Sequence, residues 1–179
     1  IHGEARPAQG PCGALNRNHK RLWRITMAAT NKPDYDVIAV GAGFAGLSLI
    51  HYMREAGLSI RVFDKASDIG GTWTWNRYPG AASDSECYYY CLTFSKELLQ
   101  EWKWSVRYPG WEENLKYMHF VADRCDMWPH IQLNTKVERA DFQESTGQLH
   151  IGALRFATKI INLASTALFA SCYDTSAMI

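Results

Sequence analysis

Asp36-Val-Ile-Ala-Val40 runs directly into Gly41-Ala-Gly43-Phe-Ala-Gly46, and Ser59-Ile-Arg-Val-Phe63 closes on Asp64. The first stretch is a short apolar run, the mark of a buried parallel strand beginning near Tyr35. Leu47 to Ala56 reads as a helix, with Leu47, Ile50 and Met53 on one side and Gly57 as its stop. Ser59 to Phe63 is a second strand, so the three pieces make one βαβ unit.

A lone G-x-G-x-x-G says little, but here a strand precedes it, a helix follows, and an acid stands about twenty residues on. Gly41 lets the chain turn tightly off the strand, Gly43 leaves room for a pyrophosphate, and Gly46 lets helix and strand pack closely. The helix then begins with free N–H groups and the positive end of its dipole toward the phosphates. Asp64 is placed to accept hydrogen bonds from both ribose hydroxyls and to repel a 2′-phosphate, which predicts FAD or NAD rather than NADP. The alternative, a glycine-rich turn in an unrelated α/β protein, does not require all these parts in register.

The next stretch separates FAD from NAD. Ile69-Gly-Gly-Thr-Trp73 brings a second glycine pair close behind Asp64, followed by Trp75-Asn-Arg77-Tyr-Pro-Gly80 and by Asp84. A second close backbone approach suits a longer cofactor, and an NAD domain has no need of this insertion.

Further on, Ser95 is a cap for a helix through Leu98, Leu99 and Trp102. Glu112 to Asp126 reads as a helix with Leu115, Met118 and Ala122 on one face. Ile131 to Phe142 is one long strand or a strand pair, Ser145 to Gly147 a turn, Gln148 to Leu154 a returning strand, and Lys159 to Leu163 one more buried strand. Past Ala164 small and polar residues follow with little period.

Composition bounds the rest. The chain has 179 residues, 47% hydrophobic and 21% charged, which is a globular composition of about one domain. The stretch Ile160 to Cys172 is too short and too polar to span a bilayer. A net charge of +1 gives no reason to expect nucleic acid or an anionic membrane as partner. Five cysteines include no C-x-x-C pair, and no histidine stands near Cys87 and Cys91 at zinc-site spacing. Reduced thiols in a cytoplasmic setting are therefore expected, with no metal. Residues 1 to 26 hold five basic side chains and one acid, in no helical or strand period. They read as sequence that does not fold, with a transit peptide as the alternative. Most of the aromatic residues fall between 73 and 128; for Trp102, Trp104, Trp111 and Trp128 core packing is the preferred reading. Arg77 is left open between an ion pair and a cofactor role.

Taken together, the run from Asp64 to Tyr90 resembles the Baeyer–Villiger branch of the flavin-dependent monooxygenases, which includes cyclohexanone, phenylacetone and steroid monooxygenases. Gly-Gly-Thr-Trp-Thr-Trp-Asn-Arg-Tyr-Pro-Gly80 carries the likeness, with Asp84 and the tyrosine-rich run behind it. It extends through Phe94 to Trp104, Val121 to Arg124 and Asn134 to Val137, so it covers roughly residues 35 to 163.

The resemblance implies an α/β fold, a Rossmann-like FAD-binding domain with a parallel sheet and a β-meander insertion, incomplete relative to the family. Residues 1–34 would be a leader, 35–164 the FAD domain and 165–179 a divergent tail. FAD contacts are implied at Gly41, Gly43, Phe44, Ala45, Gly46, Asp64, Lys65, Gly71, Thr72, Trp73, Trp75, Tyr90 and Val137, the last through its backbone at the adenine end. Asp84 is implied to stand beside the flavin ring, paired with an arginine further downstream, as the catalytic residue. The implied chemistry is reduction of FAD by NADPH, capture of O2 as a flavin C4a-peroxide, and attack on a ketone to give an ester or lactone.

Three departures qualify this. The last glycine is Gly152, so no second G-x-G-x-x-G for NADPH follows it. The family's signature of phenylalanine, glycine, histidine and a closing Trp-Pro is absent, and Trp128-Pro-His130 does not match it. Ala164-Ser-Thr-Ala167 stands where an Ala-Thr-Gly-like turn is expected. The chain therefore reads as an amino-terminal fragment, or a truncated or mis-spliced product, inactive alone and with its NADPH site elsewhere. The alternatives are a catalytically silent nucleotide-binding or interaction module, and a fragment of an N- or S-oxidising flavin monooxygenase.

Overall fold

The computed structural model describes residues 33–155 and 159–170, with side chains as far as residue 152. The apolar run of the first strand forms β1 (Tyr35–Val40), the helix α1 spans Phe44–Glu55, and β2 spans Ile60–Phe63. β1 and β2 lie parallel, Val37 opposite Ile60 and Val40 opposite Phe63, so the expected βαβ unit is present in register. Leu47 and Ile50 are fully buried, and Met53 packs against the same core.

Gly57 ends α1 as expected. It takes φ +76, its N–H donates to the Arg54 carbonyl (3.0 Å), and the Leu58 N–H donates to the Met53 carbonyl (2.9 Å). This double closure satisfies carbonyls that the helix end would otherwise leave open, and glycine takes the left-handed backbone at no steric cost.

A single turn, α2 (Thr72–Trp75), follows the second glycine pair, then α3 (Lys96–Glu101) and α4 (Trp111–Arg124). Ser95 caps α3, its Oγ accepting from the Leu98 N–H, and the same Oγ donates to Glu97 (2.6 Å). That bond holds the exposed Glu97 carboxyl below its ordinary range. On α4, Met118 and Ala122 are buried with Leu115 packed beside them. Trp102, Trp104, Trp111 and Trp128 all pack against this core, Trp104 with its ring 4.8 Å from that of Tyr117. Arg77 forms no ion pair among the described residues: its Nε donates to the Thr74 carbonyl (2.9 Å) and its guanidinium lies 5.4 Å from the Trp111 ring.

The run from Ile131 divides into β3 (Ile131–Gln132) and β4 (Thr135–Gln143). The break is at Asn134, which takes φ +53 and donates its N–H to the Ala66 carbonyl (2.8 Å). β5 (Gln148–Arg155) returns antiparallel to β4, and β6 (Lys159–Ala170) antiparallel to β5. The six strands form one sheet in the order β3-β2-β1-β6-β5-β4, a parallel half joined to an antiparallel meander.

One expectation is corrected here. The strand expected to end at Leu163 runs on to Ala170, through residues read from sequence as aperiodic. Its first half pairs with β5, and its second half pairs with β1, Tyr35 opposite Ser165 and Val40 opposite Ala170. β1 needs a second partner for its backbone N–H and C=O groups, and that demand extends a strand whose side-chain pattern does not announce it. The expected structure of residues 1–32 and of the tail beyond Ala170 lies outside the described residues.

Candidate cofactor site

The three glycines of the first motif differ in what requires them. Gly41 takes φ +104 directly after β1, a backbone that side chains resist. At Gly46 an added Cβ would stand 2.2 Å from the Gly41 carbonyl oxygen, so helix and turn close against each other there. At Gly43 an added Cβ would meet only Gly71, at an ordinary 3.5 Å. Neither backbone nor packing demands glycine at 43, which is what a loop approached closely by a ligand would show. Gly43 is also the N-cap of α1, and no side chain caps that end. The first-turn amides have no intrahelical acceptor and form the positive end of the helix dipole, which suits an anion.

The second glycine pair is built against the first. The Gly70 N–H donates to the Ala42 carbonyl (2.9 Å), and an added Cβ on Gly71, at φ +54, would come within 3.1 Å of the Gly43 Cα. At Gly70 an added Cβ would collide with Thr74 Oγ1 at 2.3 Å. Two motifs nearly thirty positions apart in the chain thus meet backbone to backbone.

Asp64 ends β2 beside them. Its Oδ2 accepts from the Ala42 N–H (2.7 Å) and its Oδ1 from the Ala66 N–H (2.8 Å), with the side chain 7% exposed. Each carboxylate oxygen has a second lone pair, so these bonds leave room for hydroxyl donors. Sequence reasoning placed Asp64 at this site and missed that it also ties the glycine loop to the next turn. Its own backbone joins β3 and β4, donating to the Gln132 carbonyl (3.0 Å) and accepting from the Thr135 N–H (2.8 Å).

The remaining residues separate into groups. Phe44 turns its ring to Tyr90 (4.6 Å) and toward Tyr117, while Ala45 is exposed on the first turn of α1. Trp73 is buried, 6% exposed, and its Nε1 donates to the Tyr90 hydroxyl (3.1 Å). Thr72 is half-buried, and Trp75, 52% exposed, lies with Lys65 Nζ 5.3 Å from its ring. Val137 packs in a separate cluster with Ile38, Phe63 and Ile151. Asp84 is exposed on a loop of its own, its Oδ1 accepting from Ser85 Oγ (3.3 Å). So the structure gathers Gly41 to Gly46, Asp64 and Gly71 at one place, and carries Asp84 and Val137 on other segments.

Cys87, Cys91 and Cys125 form no disulfide among the described residues, and burial raises the pKa of the Cys91 thiol. Tyr117, buried behind the site with its hydroxyl accepting from the Leu92 N–H (2.8 Å), is pushed up to about 12 by that burial. Among the described residues, no group of three or more His, Cys, Asp or Glu side chains is placed to hold a metal ion, and no helix is long and apolar enough to cross a membrane.

These features fit a bound dinucleotide: an uncapped helix start, a glycine with no intrinsic reason to be one, and a fixed carboxylate at the next strand end. The fold and site are those of a Rossmann-like dinucleotide-binding unit. Residues 40–102 match the family described as NAD(P)-binding Rossmann-like domain. The chain is 50% identical over 115 residues to a Baeyer–Villiger monooxygenase of Pseudooceanicola batsensis, covering 64% of this chain and 21% of that protein. It is 48% identical over 109 residues to the acetone monooxygenase (methyl acetate-forming) of Gordonia sp., covering 61% and 20%. A phenazine N-monooxygenase of Lysobacter antibioticus is 43% identical over 133 residues, covering 69% and 25%. Among solved structures, oxidized steroid monooxygenase bound to NADP superposes with a TM-score of 0.73 at 42% identity, covering 76% of this chain and 26% of that one. Over this region the chain is similar in sequence and fold to Baeyer–Villiger-type monooxygenases. It spans about a fifth to a quarter of the length of these relatives.

Proposed function

We propose that this chain is the FAD-binding unit of an NADPH-dependent flavin monooxygenase that oxidises ketones to esters or lactones with O2. The observation that carries the reading is the backbone contact between Gly43 and Gly71 beside a doubly anchored Asp64. In this reading the amides at the start of α1 bind the pyrophosphate. Asp64 accepts the ribose hydroxyls and disfavours a 2′-phosphate. Lys65, Thr72, Trp73, Trp75, Tyr90 and Val137 complete the binding surface, and Asp84 presents a carboxylate beside the flavin ring. Bound flavin supplies the oxygen-activating chemistry; the chain supplies position, charge and exclusion of water.

A second reading, oxidation at nitrogen, has one specific support: the relative named a phenazine N-monooxygenase is 43% identical, between the acetone monooxygenase at 48% and a cyclohexanone 1,2-monooxygenase of Acinetobacter sp. at 41%. In either reading the 179 residues alone do not complete the reaction, because they contain no second G-x-G-x-x-G to dock NADPH.

Equilibrium dialysis of the purified chain against FAD and against NADP+ tests the binding assignment. Retention of FAD with little NADP+ supports it; equal retention, or none, overturns it. Supplying FAD, NADPH and a panel of ketones should give no ester above a no-protein control. Ester formed in proportion to protein would show that the chemistry needs less of the fold than proposed.

A further inference from the structure

Asp84 stands at the apex of a short turn whose construction no part of the binding motif explains. The segment 81–87 lies against 107–111 in an irregular antiparallel run. The Trp111 N–H donates to the Ala81 carbonyl (3.0 Å), the Ser83 N–H to the Pro109 carbonyl (2.9 Å) and the Cys87 N–H to the Arg107 carbonyl (2.9 Å). Asn114, fully buried on α4, donates its Nδ2 to the carbonyls of Pro109 (2.9 Å) and Gly110 (3.0 Å). The Pro109 oxygen therefore receives both Ser83 and Asn114.

The Ser83 side chain then closes the turn. It is 7% exposed, its Oγ donates to the Ser85 carbonyl (2.8 Å), and the Ser85 N–H returns a bond to it (3.2 Å). Both bonds of this hydroxyl go to the residue just after Asp84, whose own carboxylate is exposed and touched only by Ser85 Oγ among the described residues. An alanine would bury as easily at 83, so the hydroxyl contributes orientation rather than apolar packing.

We infer that Ser83 is a positioning residue for the Asp84 carboxylate, with Pro109 and Asn114 as its buried anchor. The inference rests on the reading that Asp84 lies beside the flavin. A charge influences a neighbouring redox group through its distance, and a turn free to reorient lets that distance vary. The closed turn holds the distance fixed.

The midpoint potential of FAD bound to the full chain reads this directly. A fixed carboxylate disfavours added negative charge on its neighbour, so Asp84→Asn is expected to raise the potential. Ser83→Ala is expected to raise it by at least half as much, and Ser83→Thr, which keeps the hydroxyl, to restore it. The double variant Ser83→Ala/Asp84→Asn should shift it no further than Asp84→Asn alone, since both act through one charge. A wild-type potential in Ser83→Ala, beside a shifted Asp84→Asn, overturns the inference alone. An unshifted Asp84→Asn overturns the reading of Asp84, and a chain that holds no FAD overturns both.

Discussion

The Asp64 carboxylate accepts the Ala42 N–H at 2.7 Å, so the acid at the end of β2 is bonded to the glycine loop that leaves β1. With its second oxygen on the Ala66 N–H, Asp64 joins the turns after both parallel strands. The residue proposed to meet the ribose is thus fixed by the fold itself, an arrangement that would lower the ordering cost of binding.

Asp64→Ala should therefore weaken the protein as well as the site. Two buried, charge-assisted hydrogen bonds are lost, worth roughly 1–3 kcal/mol of stability together. Urea unfolding of the chain without cofactor measures it. A second loss of about 1–3 kcal/mol should appear in FAD affinity. A variant as stable as the parent, binding FAD as tightly, would remove Asp64 from both roles.

Gly46→Ala should be far more damaging than its size suggests. The methyl would sit 2.2 Å from the Gly41 oxygen, with Val62 Cγ1 behind it at 3.5 Å. The backbone itself must move, so a loss of about 3 kcal/mol or more, or failure to fold, is expected. Circular dichroism during thermal melting reads this; an unchanged melting temperature would mean that α1 and β1 do not pack as described.

His51 predicts a pH dependence. Its ring is 6% exposed and stacked on Phe94 at 4.0 Å, its Nε2 has no hydrogen-bond partner among the described residues, and Glu55 stands 3.6 Å away. Burial lowers its pKa below 6.5, against the weaker upward pull of Glu55. The unfolded chain then binds a proton more readily than the folded one below pH 6.5. Stability should fall as the pH drops from 6.5 toward the folded value, and be flat from this source well above pH 6.5. Stability measured between pH 5 and 8 should lose that slope in His51→Gln; an identical slope in the variant would assign it elsewhere.

The βαβ unit was legible because each of its parts has a local cause: an apolar strand, a glycine with positive φ, a helix stop at Gly57, an acid at a strand end. The second glycine pair is read from sequence as an approach to a cofactor; what the structure shows is that Gly43 and Gly71 approach each other. Three features were not legible. β6 extends to Ala170 because β1 has an edge to satisfy, and backbone pairing leaves no mark on side-chain order. The Ser83 hydroxyl bonds the backbone of Ser85 and the Asn114 amide bonds the Pro109 carbonyl, and no periodicity marks a side chain that bonds to backbone. The break between β3 and β4 depends on Asn134 meeting the Ala66 carbonyl, a contact visible only once β2 is in place.

The glycine at 43 gives the most direct test of the whole account. The protein itself offers room for a methyl there, at 3.5 Å from Gly71, so Gly43→Ala should melt within about 1 kcal/mol of the parent. A bound pyrophosphate offers no such room. Titration of both proteins with FAD, followed by quenching of flavin fluorescence, is the measurement. The account predicts saturable one-to-one binding by the parent and at least a tenfold loss of affinity in Gly43→Ala at nearly unchanged stability. Equal affinity in the two proteins, or no saturable binding by the parent, would contradict it.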